Sequence, residues 1–185
     1  MQDDVRAFAL TPQSVPRPIG RGHVSQEIRI RVAAAGDEAI LASLSAVVHE
    51  LHVGQRPDIF KPTDLRGLEH WFLDTLKAAS VKIWIAELGD LPVGYVLVIP
   101  RRRSENVFCH ERRWHEVDQV GVHPNYRRQG VARSLLRHVV ESARADGVSE
   151  VELNTWTFNE VARNTFEQFG FVARKVRLER RTEPS

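Results

Sequence analysis

A single cysteine, Cys109, stands among 185 residues, so no disulfide can form within the chain. That scarcity fits a reducing compartment, and a cytoplasmic location is expected. No apolar run reaches the ~18 residues that would cross a membrane. The N-terminal charges are not followed by the apolar stretch of a secretory signal. The G-x-G-x-x-G loop of dinucleotide-binding folds does not occur, nor does a Gly-Lys followed by Ser or Thr of the kind that wraps nucleotide phosphates. Repeats and low-complexity tracts are missing too, which excludes solenoids and arrays. His49 and His52 lie three apart rather than four, and His110, Glu111, His115 and Glu116 have no cysteine pair to complete a ligand set, so no metal site is expected. The net charge is only +2, too small an excess to point to nucleic acid.

What is present suits one globular domain: 42% apolar and 27% charged residues in a chain long enough to enclose a core. Residues 1–25 carry prolines, glycines and arginines without an apolar period and read as a flexible or loosely docked arm. Between Glu27 and Ala33 apolar and polar residues alternate, the mark of a strand. Asp37 is placed to cap a helix that breaks at Gly54, and Thr63 to cap a second helix carrying Leu65, Leu68, Phe72 and Leu76. Two strands, Val81–Leu88 and Pro92–Ile99, form a hairpin around Gly89-Asp90. Residues 100–113 read as basic and irregular, and a strand over His115–Val122 stops at Pro124. A helix from Gly130 to Ala145 ends at Gly147, a strand covers Val148–Thr155, and a short helix over Asn159–Phe169 ends at Gly170. A last strand is expected over Phe171–Arg180. This order predicts an α/β (α+β) fold on one mixed sheet, with a right-handed crossover and parallel pairing between residues 115 and 155.

The segment from Val120 to Arg133 concentrates the chemistry. An apolar strand ends at a proline, a short basic loop follows, and Gly130 and Ala132 open a helix. The first N–H groups of a helix have no internal partner, and the helix dipole places roughly half a positive charge there. Small residues at Gly130 and Ala132 let a diphosphate approach the backbone, and Arg127 and Arg128 add donors suited to phosphate. The apolar phase adds a second signal. Val117 and Val120 cannot share one face of a regular strand, whereas Val120 and Val122 can, so a bulge is expected between Val117 and Val120.

Arg127-x-x-Gly130-x-Ala132, following Val120-x-Val122-x-Pro124, resembles the pyrophosphate-binding motif of the GNAT superfamily of N-acetyltransferases. Asn159-Glu160-Val161-Ala162, followed by Phe166 and the closing Gly170-Phe171, is similar to that superfamily's later motif. The resemblance covers about residues 27–180 and is specific over 115–171; it implies an acetyltransferase domain over 26–185 with a mixed, centrally splayed sheet flanked by helices. Leu153 to Asn159 and the loop Arg56 to Pro62 also resemble a bacterial branch of the superfamily.

The resemblance implies acetyl-CoA as cofactor, coenzyme A as product and direct transfer of the acetyl group to an amine of a small molecule or peptide. Its pantetheine arm is expected beside Val120, Gly121 and Val122, with Asn154, Asn159 and Phe166 along it. Its diphosphate is expected on the N–H groups of Arg127, Arg128, Gln129, Gly130, Val131, Ala132 and Arg133. An amine must lose a proton before it attacks, and Asp118 or its neighbour Glu116 is the expected base, directly or through water. Many relatives carry Tyr where this chain has Phe166, which cannot donate a proton; Tyr95 and Tyr126 are the tyrosines left. In the Arg56–Pro62 loop, Asp58 and Phe60 are expected to contact the acceptor. Two other functions stay open: an acetyl-CoA-binding module without turnover, and an acetyltransferase acting on a protein N-terminus or aminoacyl-tRNA. A homodimer, common in the superfamily, stays open as well.

Overall fold

The computed structural model describes residues 27–182, so the arm expected over residues 1–25 lies outside it. The chain runs β1 (Ile28–Val32), α1 (Glu38–Gln55), α2 (Leu65–Lys77), β2 (Lys82–Leu88), β3 (Leu91–Arg103), β4 (Arg112–Val122), a short 3-10 turn (Pro124–Tyr126), α3 (Val131–Ala145), β5 (Val151–Leu153) and α4 (Glu160–Phe169). The strands form one sheet in the order β1-β2-β3-β4-β5. The first three pairings are antiparallel and β4 with β5 is parallel, the mixed sheet expected of the strand–helix–strand passage.

Two apolar layers hold the helices to this sheet. On one face Val131, Leu135 and Val139 of α3 pack against Val96, Val98 and Val117. On the other, Leu41 and Leu44 of α1 and Phe72 of α2 pack against Ile85, Tyr95 and Leu97. The buried stripe of α3 repeats at three- and four-residue steps, so its apolar face comes directly from sequence period. No described helix is long and apolar enough to cross a membrane.

Several boundaries differ from the sequence expectation. Helix α1 continues through Gly54 to Gln55. Asp37 stands at its N-cap but does not cap it through its side chain. Instead, the carboxylate accepts from Arg31 at 2.7 and 2.8 Å and from the Ala34 N–H at 2.8 Å. Arg31 thereby ties β1 to the start of α1 and holds the Asp37 carboxyl below the usual carboxylate range. The N-cap of α2 is Asp64, not Thr63. Strands β3 and β4 extend into the basic stretch, pairing Arg101 with Trp114 and Arg103 with Arg112. Ion pairs offset the crowded charge there: Arg101 meets Glu116 at 2.6 Å, and Arg112 meets Glu152 at 2.5 Å while lying over the Trp114 ring. Strand β5 is three residues long rather than the span Val148–Thr155.

The strand expected over Phe171–Arg180 does not form; the described chain beyond Gly170 has no regular structure. Val172, Val176 and Leu178 are exposed, so alternation there has no apolar layer to face. Charges instead draw this tail to the rest of the protein, Glu179 to Arg56 at 3.2 Å and Arg181 to Asp58.

His115 of β4 is 1% exposed. Its Nε2 lies 3.0 Å from Asp146, which also takes Lys82, and its Nδ1 is buried without a partner. Burial, reinforced by the positive charge of Lys82, holds the imidazole pKa below its ordinary value. The unfolded chain therefore gains a proton near pH 6.5 that the folded protein refuses. The contribution is fully present above that pH and is lost as pH falls below it, at no more than about 1.4 kcal/mol per pH unit. Denaturant midpoints at pH 7.5 and 5.5 should separate in the native protein and draw together in His115→Gln.

Candidate active site

Strand β4 carries one residue more than its partner β3. Leu97 pairs with Gln119 and Val98 with Val117, which leaves Asp118 as the extra residue. This is the bulge expected from the apolar phase. It lets Val117 and Val120 both join the layer under α3 while Gln119 comes round toward α1. Pairing of β4 with β5 ends at the same place, at Val117 with Leu153. Beyond it, residues 118–122 of β4 have an unpaired edge and the sheet splays.

A cleft of about 360 Å³ opens at this splay. Val120, Leu153, Asn154, Asn159, Ala162 and Phe166 line one part of it, so the strand that leads into the first motif meets residues of the second there. Asn159 also caps α4, its side-chain oxygen accepting from the Ala162 N–H at 3.2 Å. Phe166 is 7% exposed and packs edge-on against Phe171. The other part of the cleft is an aromatic wall. Phe60 lies 5.1 Å from His52 and 5.7 Å from Trp156, and Trp156 stacks on Phe158. His49 and His52 are packing residues of this wall, bonded to the Lys61 and Val48 carbonyls.

The N-terminal end of α3 is left open. Gly130, at φ +85°, turns the chain in the left-handed region that disfavours side chains, and Arg128 adopts φ 62° two residues before it. The first helical bond is donated by the Ser134 N–H to the Gly130 carbonyl at 2.9 Å. The N–H groups of Val131, Ala132 and Arg133 therefore have no partner within the helix. No side chain caps this end. Arg127 bends back to the Val122 carbonyl at 3.3 Å, and Gln129 donates to the Asn125 carbonyl at 3.1 Å.

The two candidate bases part company. Glu116 accepts from Arg101 at 2.6 Å and from Asn154 at 3.2 Å, and it lines neither cleft. Asp118 lines the first cleft and also a second, of about 360 Å³, on the α2 side of the sheet. Its surface is open to solvent through these clefts. The protein mass around the bulge, with the Glu116 charge nearby, nevertheless raises its pKa above the ordinary carboxylate value; Gln119 and Arg101 oppose the rise. Asp58, expected at the acceptor, is instead held by Arg56 at 2.9 and 3.0 Å and by Arg181, and it lines neither cleft.

Sequence reasoning did not place Tyr95. It is 1% exposed on β3, lines the first cleft, and its hydroxyl donates to the Gln119 side chain at 2.8 Å. Burial pushes its pKa far up. The signal for it lies across the strand pair, in its partner Gly121. A Cβ on Gly121 would stand 2.6 Å from the Tyr95 ring and 3.1 Å from Val48, so the glycine makes the space the tyrosine fills.

Comparisons with known proteins agree with this geometry. The sequence model of the family described as Acetyltransferase (GNAT) family matches residues 46–171. N-acetyltransferase 8F1 of Rattus norvegicus is 28% identical over 109 residues, covering 59% of this chain and 46% of the relative. N-acetyltransferase 8 of Homo sapiens is 34% identical over 88 residues, covering 48% of this chain and 37% of the relative. The chain thus spans about half or less of the length of these curated relatives. Among solved structures, the BH1408 protein of Bacillus halodurans superposes with TM-score 0.79 at 21% identity, covering 83% of this chain and 99% of that one. The aminoglycoside N-acetyltransferase AAC(6')-Iy in complex with CoA superposes with TM-score 0.66 at 17% identity, covering 90% of this chain and 100% of that one.

Gly121→Ala should destabilise the protein by about 1–3 kcal/mol through overpacking of Tyr95. Adding Tyr95→Leu to it should recover part of the loss, read as a coupling term in denaturant unfolding of the two single variants and the double variant.

Proposed function

Because the chain belongs to the GNAT family of acetyltransferases, we propose that it is an N-acetyltransferase that uses acetyl-CoA and acts on a primary amine of a small molecule or peptide in the cytoplasm. The observation that carries this is the convergence of the bulge at Asp118, the splay beside Val120 and the open helix end at Gly130 along one path. A related fold has been solved with CoA bound.

The residues present fit the cofactor. The free N–H groups of Val131, Ala132 and Arg133 suit a diphosphate, helped by the arginine-rich turn before them. The unpaired edge at Val120 and Val122 suits the amides of pantetheine, which lie along it as a further strand would. Asn154, Asn159 and Phe166 form the opposite wall. Acetyl-CoA supplies an acetyl group already activated as a thioester.

Asp118 takes the extra proton of the incoming ammonium, directly or through water, and passes it to solvent. Its raised pKa makes it a better base than an ordinary aspartate. The neutral amine nitrogen then forms the amide C–N bond as the C–S bond breaks, and one further amine proton ends on the coenzyme A thiol. Backbone N–H groups of the bulged strand near Val120 would donate to the carbonyl oxygen. Phe60 and Trp156 limit water at that end of the cleft.

Two variants test the two halves of the proposal. Ala132→Glu places a carboxylate in the first turn of α3, where it favours the helix but opposes a diphosphate. Acetyl-CoA affinity should fall at least about tenfold with the melting temperature kept or raised. Unchanged affinity would remove the phosphate site from α3. Asp118→Asn should lower thiol release from acetyl-CoA by about 10²- to 10⁴-fold. The native rate should rise with pH as Asp118 ionises, with a midpoint above the ordinary carboxylate value of 3.8, and this limb should vanish in the variant.

A further inference from the structure

The second cleft contains none of the residues assigned above to the cofactor. It shares a single lining residue with the first cleft, Asp118. Of the motif residues, Val120, Asn159, Ala162 and Phe166 line the first cleft, and clefts that bury a ligand of drug size start at about 300 Å³. At about 360 Å³ the first cleft has little room for an acceptor as well. A molecule in the second cleft meets the same carboxylate.

The walls of this second cleft are mostly carbon: Trp71, Ala78, Val81, Leu97 and Ile99. Trp71 is 44% exposed and braced edge-on against Phe72 at 4.9 Å, so one large apolar surface is held open at the mouth. Few polar groups are free. The Thr75 hydroxyl donates to the Trp71 carbonyl at 2.7 Å, and the N–H groups of Ala78 and Val81 are spent on the Thr75 and Ala78 carbonyls. Two carboxylates remain among the lining side chains, Asp118 inside and the exposed Asp74 near the rim, and no lysine or arginine lines the cleft.

We propose that the acceptor reaches Asp118 through this second cleft, and that it is a primary amine on a hydrophobic body without a carboxylate, of the arylalkylamine kind. The proposal rests on the acetyl-transfer reading for its chemistry. The ammonium group finds Asp118 and the apolar body covers Trp71, Leu97 and Ile99. A polyhydroxylated amine would bury hydroxyls against carbon, each costing about 5- to 150-fold in affinity. The carboxylate of a free amino acid would find no cation among the lining side chains, since Lys77 is paired with Asp74 and Arg101 with Glu116.

The test compares 2-phenylethylamine, phenylalanine, which adds only the carboxylate, and kanamycin as a polyhydroxylated amine. Thiol release from acetyl-CoA and calorimetric binding to the protein loaded with coenzyme A are both measured. For 2-phenylethylamine, kcat/KM should exceed the other two by about 100-fold or more. Trp71→Ala should raise its KM and Kd together by about tenfold with kcat nearly kept, since the side chain is half exposed and outside the core. Thr75→Arg, which sets a cation on the cleft wall, should narrow the preference over phenylalanine. Equal use of the three amines, or preference for either polar one, overturns the proposal and leaves acetyl transfer standing. If acetyl-CoA binds and no amine releases thiol, acetyl transfer falls instead. The calorimetry then decides the cleft: 2-phenylethylamine binding that Trp71→Ala weakens sustains it, and absent or unaltered binding overturns it.

Discussion

One extra residue in β4 sets the geometry on which the site depends. A regular strand would send Val117 and Val120 to opposite faces, and one of them would leave the layer beneath α3. With Asp118 inserted, both valines stay buried or half-buried against α3, and the core itself keeps the bulge in place. Slipping the strand back into register would turn every residue after Val117 to the wrong face, a penalty spread over several apolar side chains. The irregularity is therefore held by packing rather than by any bond to Asp118.

Everything functional follows from where that irregularity falls. The bulge bends β4 away from β5 just where the parallel pairing ends, so an edge of unpaired backbone faces a cleft instead of a neighbour. The same strand then runs four residues to Val122, turns through Pro124–Tyr126, and delivers the open end of α3. A carboxylate, a free strand edge and a helix N-terminus are thus spaced along one stretch of chain from Asp118 to Arg133. Few tertiary contacts are needed to assemble them, which explains why so short a segment carries the family's motif.

That locality also decides what was legible in the sequence. The bulge, the apolar stripe of α3, the helix start at Gly130 and the end of α4 at Gly170 are all written within a few residues, and the structure contains each of them. Features set by distant partners were not legible. Asp58 looked free to meet an amine, but Arg181, far along the chain, takes its carboxylate. Residues 100–103 and 112–113 looked irregular because their charges crowd, and only the cross-strand partners and Glu116 and Glu152 show why a strand survives there. The stretch after Gly170 alternates like a strand, yet β5 offers only a three-residue edge and no apolar layer lies beneath it.

Phe166, expected along the cofactor, leaves its part of the cleft without a phenol. Its ring is buried against Phe171 and supplies a dry wall, with no hydroxyl to offer. The phenol of the cleft comes from β3, through Tyr95, and it is there because Gly121 across the strand pair has no side chain. Burial raises the Tyr95 pKa far above that of an ordinary thiol, about 8.5, so passing its proton to a leaving thiolate is uphill. Its hydrogen is moreover already given to Gln119. Tyr95 is therefore suited to fixing the Gln119 side chain beside Asp118 rather than to acting as an acid.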